Sequence, residues 1–504
     1  MSFINLIKNK SIWIICILSF LSALFYNELN LNKIPKENTR TGETILTNDG
    51  ASYLNPAISF HEKGIWREGS IGNQGYFLRP PGYGIFYLFF LKIADYPLTL
   101  KLLKIAQLLL FSVSVYWLFY ILTHLIKNKK LVLLGTIIYG ISPFFIGFLY
   151  YTLTEGISPE LLILFTFLLF KAYHQRIIKK KNIYYFLAAL TFAYLLIVRP
   201  QIGLFGIFIP LFIVADYWNQ SIKKIIIQTT LLTIVAFSFF GAWEYRNYKI
   251  AGEFVGLHPI YYSDANSFYR PPLKAYWNFV GGFAQEGAIS YSYMVPIWKN
   301  ALKGDTSSTV YIKQAISSFP KEVTHHFGKE RLIKAFKTYQ QTAFYQKQYW
   351  DKKQKMPKQL ADIELESINI FNQLTTEYKK AFWFDYHIKS PLKVFKTMAF
   401  HSNLSLFIFQ KTYRGLWWME TLRYFFYALH SFCFLAMLIN LFNFKKENML
   451  FYGINFAVFI YVFYLCYFQR GIEERYTLPV LPLLFVGAIL LVKNLYFKIK
   501  AKLC

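Results

Sequence analysis

Long apolar runs recur along the chain, separated by short lysine-bearing connections and by two much longer polar segments. A helix rises about 1.5 Å per residue and the hydrocarbon core of a bilayer is about 30 Å thick, so a run of about 20 apolar residues crosses it. Runs approaching that length lie near 11–27, 98–125, 131–151, 158–174, 183–199, 201–217, 225–243, 421–443, 449–468 and 477–495. They predict a mainly α, polytopic membrane protein of about ten transmembrane helices. The apolar run at 83–93 would reach only about 17 Å as a helix, which predicts an interfacial or re-entrant piece leading into the second span.

The polar segments divide the chain. Residues 1–243 form an N-terminal transmembrane module whose first outer loop is 27–82; residues 244–420 form an outer-face domain; residues 421–504 supply the last transmembrane helices. The middle segment mixes aromatic-rich stretches such as "YYSDANSFYRPPLKAYWNFVGGF" with charged helical ones such as "KQLADIELESINIFNQLTTEYKKAFW". That mixture predicts a small folded domain resting on the membrane rather than a linker. Interfacial helices are expected in the first outer loop.

Composition agrees: 55% of the 504 residues are hydrophobic, 20% aromatic and only 16% charged. An ordinary soluble domain is excluded. A net charge of +28 raises the question of nucleic acid, but the lysines cluster between apolar runs instead of along one basic face, so no nucleic-acid partner is expected. Lys127, Lys129 and Lys130, then Arg176 with Lys179 to Lys181, Lys223 and Lys224, Lys445 and Lys446, and Lys493, Lys498, Lys500 and Lys502 all fall on alternate connections. This is the positive-inside pattern, and it places both termini in the cytoplasm and both long polar segments outside. The run "SIWIICILSFLSALFY" has no small-residue cleavage site after it and is expected to be an uncleaved span. The four cysteines have neither disulfide nor zinc spacing.

With this topology, scattered charges gather on the outer face. Asp49, in "ILTNDGASYLNPA", and Arg79, in "FLRPPGYGIF", belong to the first outer loop. Glu155 lies in "YYTLTEGISPE", Arg199 in "LLIVRPQIG", Arg246 in "WEYRNYKIAG", and Arg470, Glu473, Glu474 and Arg475 in "FQRGIEERYTLPVLP". Taken singly, Asp49 before Gly50 suits a turn, an arginine at a span end suits a headgroup anchor, and Glu155 suits a helix N-terminus. Ionisable groups at membrane depth are costly and face cavities, so their concentration on one face implies a cavity at the outer leaflet.

In order along the chain, "NDGASYLNPAISFHEKG", "RPPGYGIFYLFF", "YTLTE", "VRPQIG", "WEYRNY" and "EERYTLPVLP" resemble motifs of the GT-C superfamily of membrane glycosyltransferases. The likeness is to its protein O-mannosyltransferase and lipid A aminoarabinose transferase group. It spans most of the membrane part and leaves residues 250–385 unmatched. It implies a sugar donor on a polyprenyl phosphate and an acceptor glycan, lipid or protein, brought together at the outer, periplasmic face of a bacterial inner membrane. Where many relatives carry a second acid beside the first-loop aspartate, Asn48 and Gly50 stand here, which argues against a metal held by adjacent carboxylates.

The residues suit that chemistry in their own right. Displacement at an anomeric carbon by an acceptor oxygen needs one base, because phosphate leaves without a general acid, whereas a glycosidase needs two flanking carboxylates. Asp49 is the candidate base. Arg79, Arg199 and Arg475 are the candidate phosphate ligands, with Arg246 and Arg470 in reserve, since arginine forks neutralise an accumulating phosphate charge. Three roles stay open to Glu155: orienting the acceptor, holding an arginine, or completing a divalent-metal site with Asp49. Tyr53 and Tyr83 are candidate sugar contacts, although an interfacial aromatic belt explains them equally. The alternative function is a polytopic transporter or lipid flippase; against it, charges within the spans are sparse and no paired broken helices mark two matching halves.

The lysine bias makes a direct prediction. Cysteines introduced near Gly69 and Gln354 label with an impermeant reagent from outside, and ones near Asn128 and Asn448 do not. Labelling of positions 69 and 128 from the same side would break the outer constellation apart.

Overall fold

The structure, a computed structural model, describes residues 10–47, 49–68, 76–77, 79–252, 254–257, 271–283, 296–301, 303–352, 356–357, 359–400, 416–443, 448–470 and 474–503. Eight of its helices are long and apolar enough to cross a membrane: Ser11–Leu31, Tyr96–Leu125, Ile178–Val198, Pro200–Tyr217, Ile222–Ile250, Glu420–Phe442, Met449–Gln469 and Arg475–Tyr496. The chain is a mainly α, polytopic membrane protein. In chain order the elements of the first half are α1 (Lys10–Leu31), the strands β1 (Thr39–Arg40) and β2 (Thr44–Ile45), α2 (Gly50–Lys63), α3 (Gly82–Leu91), α4 (Tyr96–Leu125), α5 (Lys129–Ile141), α6 (Ser158–Tyr173), α7 (Ile178–Val198), α8 (Phe208–Tyr217) and α9 (Ile222–Ala251).

Two of the ten expected spans are helical but short. The run 131–151 yields α5, 13 residues long, which stops at Ser142 because Pro143 disfavours helical backbone in the residue before it. A single turn, Pro143–Ile146, follows. The run 158–174 becomes α6, 16 residues reaching about 24 Å, with almost every side chain buried among its neighbours. α6 leans on protein where a full span would lean on lipid, whereas α5 leaves Leu134, Ile137 and Ile141 exposed. The 83–93 run forms α3, ten residues long, in keeping with a piece too short to span.

Helix ends follow from local chemistry. Asp95 accepts the Leu98 N–H at 3.0 Å and Pro97 occupies the first turn of α4; Asn128 accepts from the N–H groups of Lys130 and Leu131 to start α5. Inside the bundle, polar side chains tie helices together: Ser112 donates to the Cys16 carbonyl at 2.7 Å, which joins α4 to α1. Asn440 and Asn455 do the same for the last spans, donating to the carbonyls of Gly487 and Met437, each at 3.0 Å.

The middle segment folds around its own core. Helices α10 (Pro271–Val280), α11 (Lys329–Asp351) and α12 (Asp362–Ala381) bury Tyr276, Phe279, Phe336, Tyr339, Phe371 and Tyr378 together, with Tyr276 stacked on Tyr339 at 5.3 Å and edge-on to Phe336 at 5.2 Å. Its flanks belong to the membrane part: α9 continues to Ala251, past the expected boundary at 243, and Val394, Met398 and Ala399 of α13 (Ser390–Phe400) pack into the transmembrane core.

One close approach positions the candidate site. A Cβ on Gly82, at the start of α3, would lie 2.5 Å from the Val198 backbone nitrogen at the end of α7, and the Gly82 carbonyl accepts from the Tyr194 hydroxyl at 2.8 Å. Gly82→Ala therefore forces α3 off α7. We expect a loss of about 1 to 3 kcal/mol, seen as a lower thermal midpoint in detergent; an unchanged midpoint would show that α3 floats free of α7.

Candidate functional site

The first long loop is built onto the membrane helices before it reaches Asp49. Strands β1 and β2 pair antiparallel, with Thr39 opposite Ile45 and Arg40 opposite Thr44. The three-residue turn between them, Thr41 to Glu43, puts Thr41 at φ 52° and Gly42 at φ 75°, both left-handed, and the Glu43 N–H donates back to the Arg40 carbonyl at 2.9 Å. The Ile45 N–H then donates to the Tyr150 carbonyl at 2.9 Å, which fastens the loop to the segment that carries Glu155. Lys104 adds a buried anchor, pairing with Glu43 at 2.6 Å and Glu28 at 3.2 Å.

Helix α2 begins at Gly50, directly after Asp49, yet the Asp49 side chain caps nothing. Its carboxylate points at two arginines instead. Oδ1 accepts from Arg79 Nη2 at 2.7 Å and Oδ2 from Arg475 Nη2 at 2.5 Å. Arg79, held at the mouth of α3 by Pro80 and Pro81, also donates from Nε to Ser52 Oγ at 2.9 Å and lies over the Tyr53 ring at 4.8 Å. The turn-former reading of Asp49 thus differs from its observed partners. Tyr53 sits one turn into α2, as its spacing from Asp49 implied, and Tyr83 supports it edge-on at 5.9 Å. Tyr83 itself is fully buried and donates to Gln107 Oε1 at 3.0 Å, so any sugar would meet Tyr53 and be backed by Tyr83.

Glu155 occupies a 3-10 turn, Thr154–Gly156, beneath this pair. Its Oε1 lies 3.0 Å from Arg199 Nη1 and 3.8 Å from Arg475 Nε. Thr154 Oγ1 accepts from Arg199 at 2.9 Å and donates to Glu155 Oε2 at 3.1 Å. Arg475 therefore touches both carboxylates, and the second helix-end arginine, Arg199, locks the deeper one. Burial alone would raise both carboxyls. The Arg79 and Arg475 guanidiniums outweigh it at Asp49, and Arg199 and Arg475 at Glu155, so both are held below their ordinary values and stay ionised.

The remaining expected residues lie apart. Arg246 donates to the main-chain carbonyls of Trp66 at 2.5 Å and Tyr76 at 2.8 Å, packed against the Trp243 ring. These contacts hold the far end of the first loop, not Asp49 or Glu155. Arg470 donates to the carbonyls of Tyr386 and Tyr467 and lies over the Tyr386 ring at 3.8 Å, tying the middle segment to the last spans. Glu473 and the Glu474 side chain lie outside the described residues.

A divalent metal does not fit the donor set. Asp49 and Glu155 share Arg475, and three guanidiniums against two carboxylates leave a net positive charge where a cation would have to enter. Among the described residues no group of three or more metal-ligating side chains gathers anywhere. Sequence reasoning missed Arg40, Gln107, Thr152 and Thr154, which line the same region. The one signal for Arg40 was "RTGE", in which a Thr-Gly pair marks a hairpin turn less strongly than Asn-Gly.

No protein-family model matches the chain, and no curated protein matches it. Among solved structures the chain is similar to an Archaeoglobus fulgidus oligosaccharyltransferase in the apo form, at 11% identity and a TM-score of 0.43, over 99% of this chain and 52% of that one. The chain spans about half the length of that protein.

The Glu155 pair generates a stability prediction. Glu155→Gln leaves the buried Arg199 without its countercharge and should cost about 3 to 5 kcal/mol. Because the folded pKa of Glu155 lies below its ordinary value of 4.5, its contribution is complete above about pH 4.5 and fades as pH falls through the folded value. Thermal melts should therefore separate wild type from variant at neutral pH and bring them together in acid; a gap that does not depend on pH would contradict the ionised pair.

Proposed function

We propose that the chain is an integral membrane glycosyltransferase of GT-C type, which moves a sugar from a polyprenyl-phosphate donor to an acceptor glycan, lipid or protein at the outer face of the membrane. The observation that carries this reading is the Asp49 carboxylate gripped by Arg79 at 2.7 Å and Arg475 at 2.5 Å, over the buried Glu155–Arg199 pair. A base and a phosphate clamp are then the same group of side chains.

The clamp couples donor binding to basicity. The donor phosphate competes with Asp49 for the guanidinium N–H groups of Arg79 and Arg475. As it takes them, Asp49 loses the charges that keep its pKa low, and its affinity for a proton rises. The acceptor oxygen then bonds to the anomeric carbon and gives its proton to Asp49, while the bond from that carbon to the phosphate oxygen breaks. The charge left on the polyprenyl phosphate is stabilised by guanidiniums already in place. Tyr53 offers its ring to the sugar, and the outer domain, with its separate aromatic core, presents the acceptor.

Glu155 is a holder of arginines in this scheme, because Arg199 and Thr154 occupy both its oxygens. A flippase would also need cations for the phosphate, but it has no use for a carboxylate poised between them.

Asp49→Asn keeps the size of the side chain and removes the proton acceptor. Turnover, measured as polyprenyl phosphate released from a labelled donor, should fall by about 10²- to 10⁴-fold while donor binding persists. A variant as active as wild type would return Asp49 to a loop-forming role. Arg475→Lys, which keeps the charge but not the fork, should weaken donor use with expression unchanged.

A further inference from the structure

A fourth arginine near Asp49, Arg40, is left over by the cluster. The described ion pairs give both Asp49 oxygens to Arg79 and Arg475, Glu155 to Arg199 and Arg475, and Glu43 to Lys104. Arg40 Nε and Nη2 are buried with no hydrogen-bond partner. A guanidinium removed from water without an acceptor is costly, and the cost is offset when an anion takes its place beside it.

The surroundings of Arg40 are shaped for such an anion. A Cβ placed on Gly50 would lie 3.1 Å from Arg40 Nη2, 3.0 Å from Thr47 Oγ1 and 2.6 Å from Thr152 Oγ1. Three polar groups from three separate pieces of chain, namely the hairpin, the approach to α2 and the segment before Glu155, thus converge where a side chain is missing. Thr152 is fully buried and its hydroxyl has no partner. Thr47 Oγ1 accepts the Gly50 N–H at 3.0 Å, which leaves its own hydrogen free to donate. The free capacity of this cradle is for donating, and the cradle adjoins the N-terminus of a 14-residue helix.

We propose that Arg40, Thr47 and Thr152, ranged around Gly50, form an oxyanion subsite that takes a phosphate group. In assigning that phosphate to the lipid-linked donor the inference rests on the function proposed above; the oxyanion chemistry of the subsite stands without it. The subsite lies one residue from Asp49, so a phosphate seated there stands beside the clamp it must enter. Arg40 is a binding residue in this scheme, whereas Arg79 and Arg475 serve both binding and the charge that develops on the leaving group.

The test is direct binding to the full-length protein in nanodiscs, with farnesyl phosphate, inorganic phosphate and farnesol as probes. Arg40→Gln removes the charge, Gly50→Ala fills the cradle, and Thr152→Val removes one donor at nearly constant shape. We expect the first two each to weaken farnesyl phosphate by about ten- to a hundredfold and Thr152→Val by a smaller factor, with farnesol indifferent to all three. Tighter binding of farnesyl phosphate than of inorganic phosphate marks a lipid headgroup as the source; equal binding with the same Arg40 dependence marks soluble phosphate, and either result supports the subsite. Farnesyl phosphate affinity unchanged within about twofold in the folded variants overturns it, and the affinities of Thr152→Val and Gly50→Ala decide between these outcomes if Arg40→Gln fails to fold. Arg40-dependent binding without any glycosyl transfer by wild type would remove the transferase and leave the subsite. Transfer with Arg40-independent binding would do the reverse.

Discussion

The contact between Arg475 and Asp49 joins residues 426 positions apart, and the candidate site is organised around it. Asp49 belongs to the first long connection, Arg475 to the start of the last span, and Glu155, which Arg475 also approaches at 3.8 Å, to the connection between the short helices α5 and α6. Glu155 and Arg199, whose side chains are almost wholly removed from water, must be paired or they cost several kcal/mol each. Each of the two carboxylates meets two guanidiniums and they share Arg475, so removing either carboxylate takes the countercharge from an arginine. That mutual dependence turns three separate connections into one site.

Backbone contacts keep the charges from drifting apart. The parallel bridge from Ile45 to Tyr151 and the bond from the Asn27 amide to the Ile146 carbonyl at 2.9 Å fasten the first loop to the segment leading to Glu155. The missing side chain of Gly82 lets α3, and with it Arg79, sit against the end of α7, where Arg199 emerges. A site carried on such supports is organised before any ligand arrives, which is the condition under which fixed charges act on a developing one. The middle segment, by contrast, has a core of its own built from aromatic rings.

Much of this was legible in the sequence because it rests on patterns of long range along the chain. Apolar runs and lysine bias required only composition, and once sidedness was assigned, Asp49, Arg79, Glu155, Arg199 and Arg475 fell on one face. The structure brings those five together. What escaped was decided by contacts. Nothing in "WEYRNY" says that Arg246 would reach back to the carbonyls of Trp66 and Tyr76, and nothing in "RPPGYG" says that Tyr83 would turn inward toward Gln107. The run at 158–174 looked like a full span because hydropathy does not distinguish lipid from protein as the surroundings; in the run 131–151, Pro143 was the readable sign that the helix would break. Arg40 was passed over because its two-strand hairpin is too short to show a period of alternation.

The central claim is that this cluster transfers a glycosyl group and does not merely carry a lipid. Purified protein in sealed vesicles, given labelled polyprenyl-phosphate sugars and a membrane extract and followed by mass spectrometry, decides it. A transferase predicts that an acceptor gains one glycosyl mass as an equal amount of polyprenyl phosphate appears, with the configuration at the anomeric carbon inverted by the single displacement. Donor that crosses the vesicle bilayer while every mass stays unchanged would contradict it.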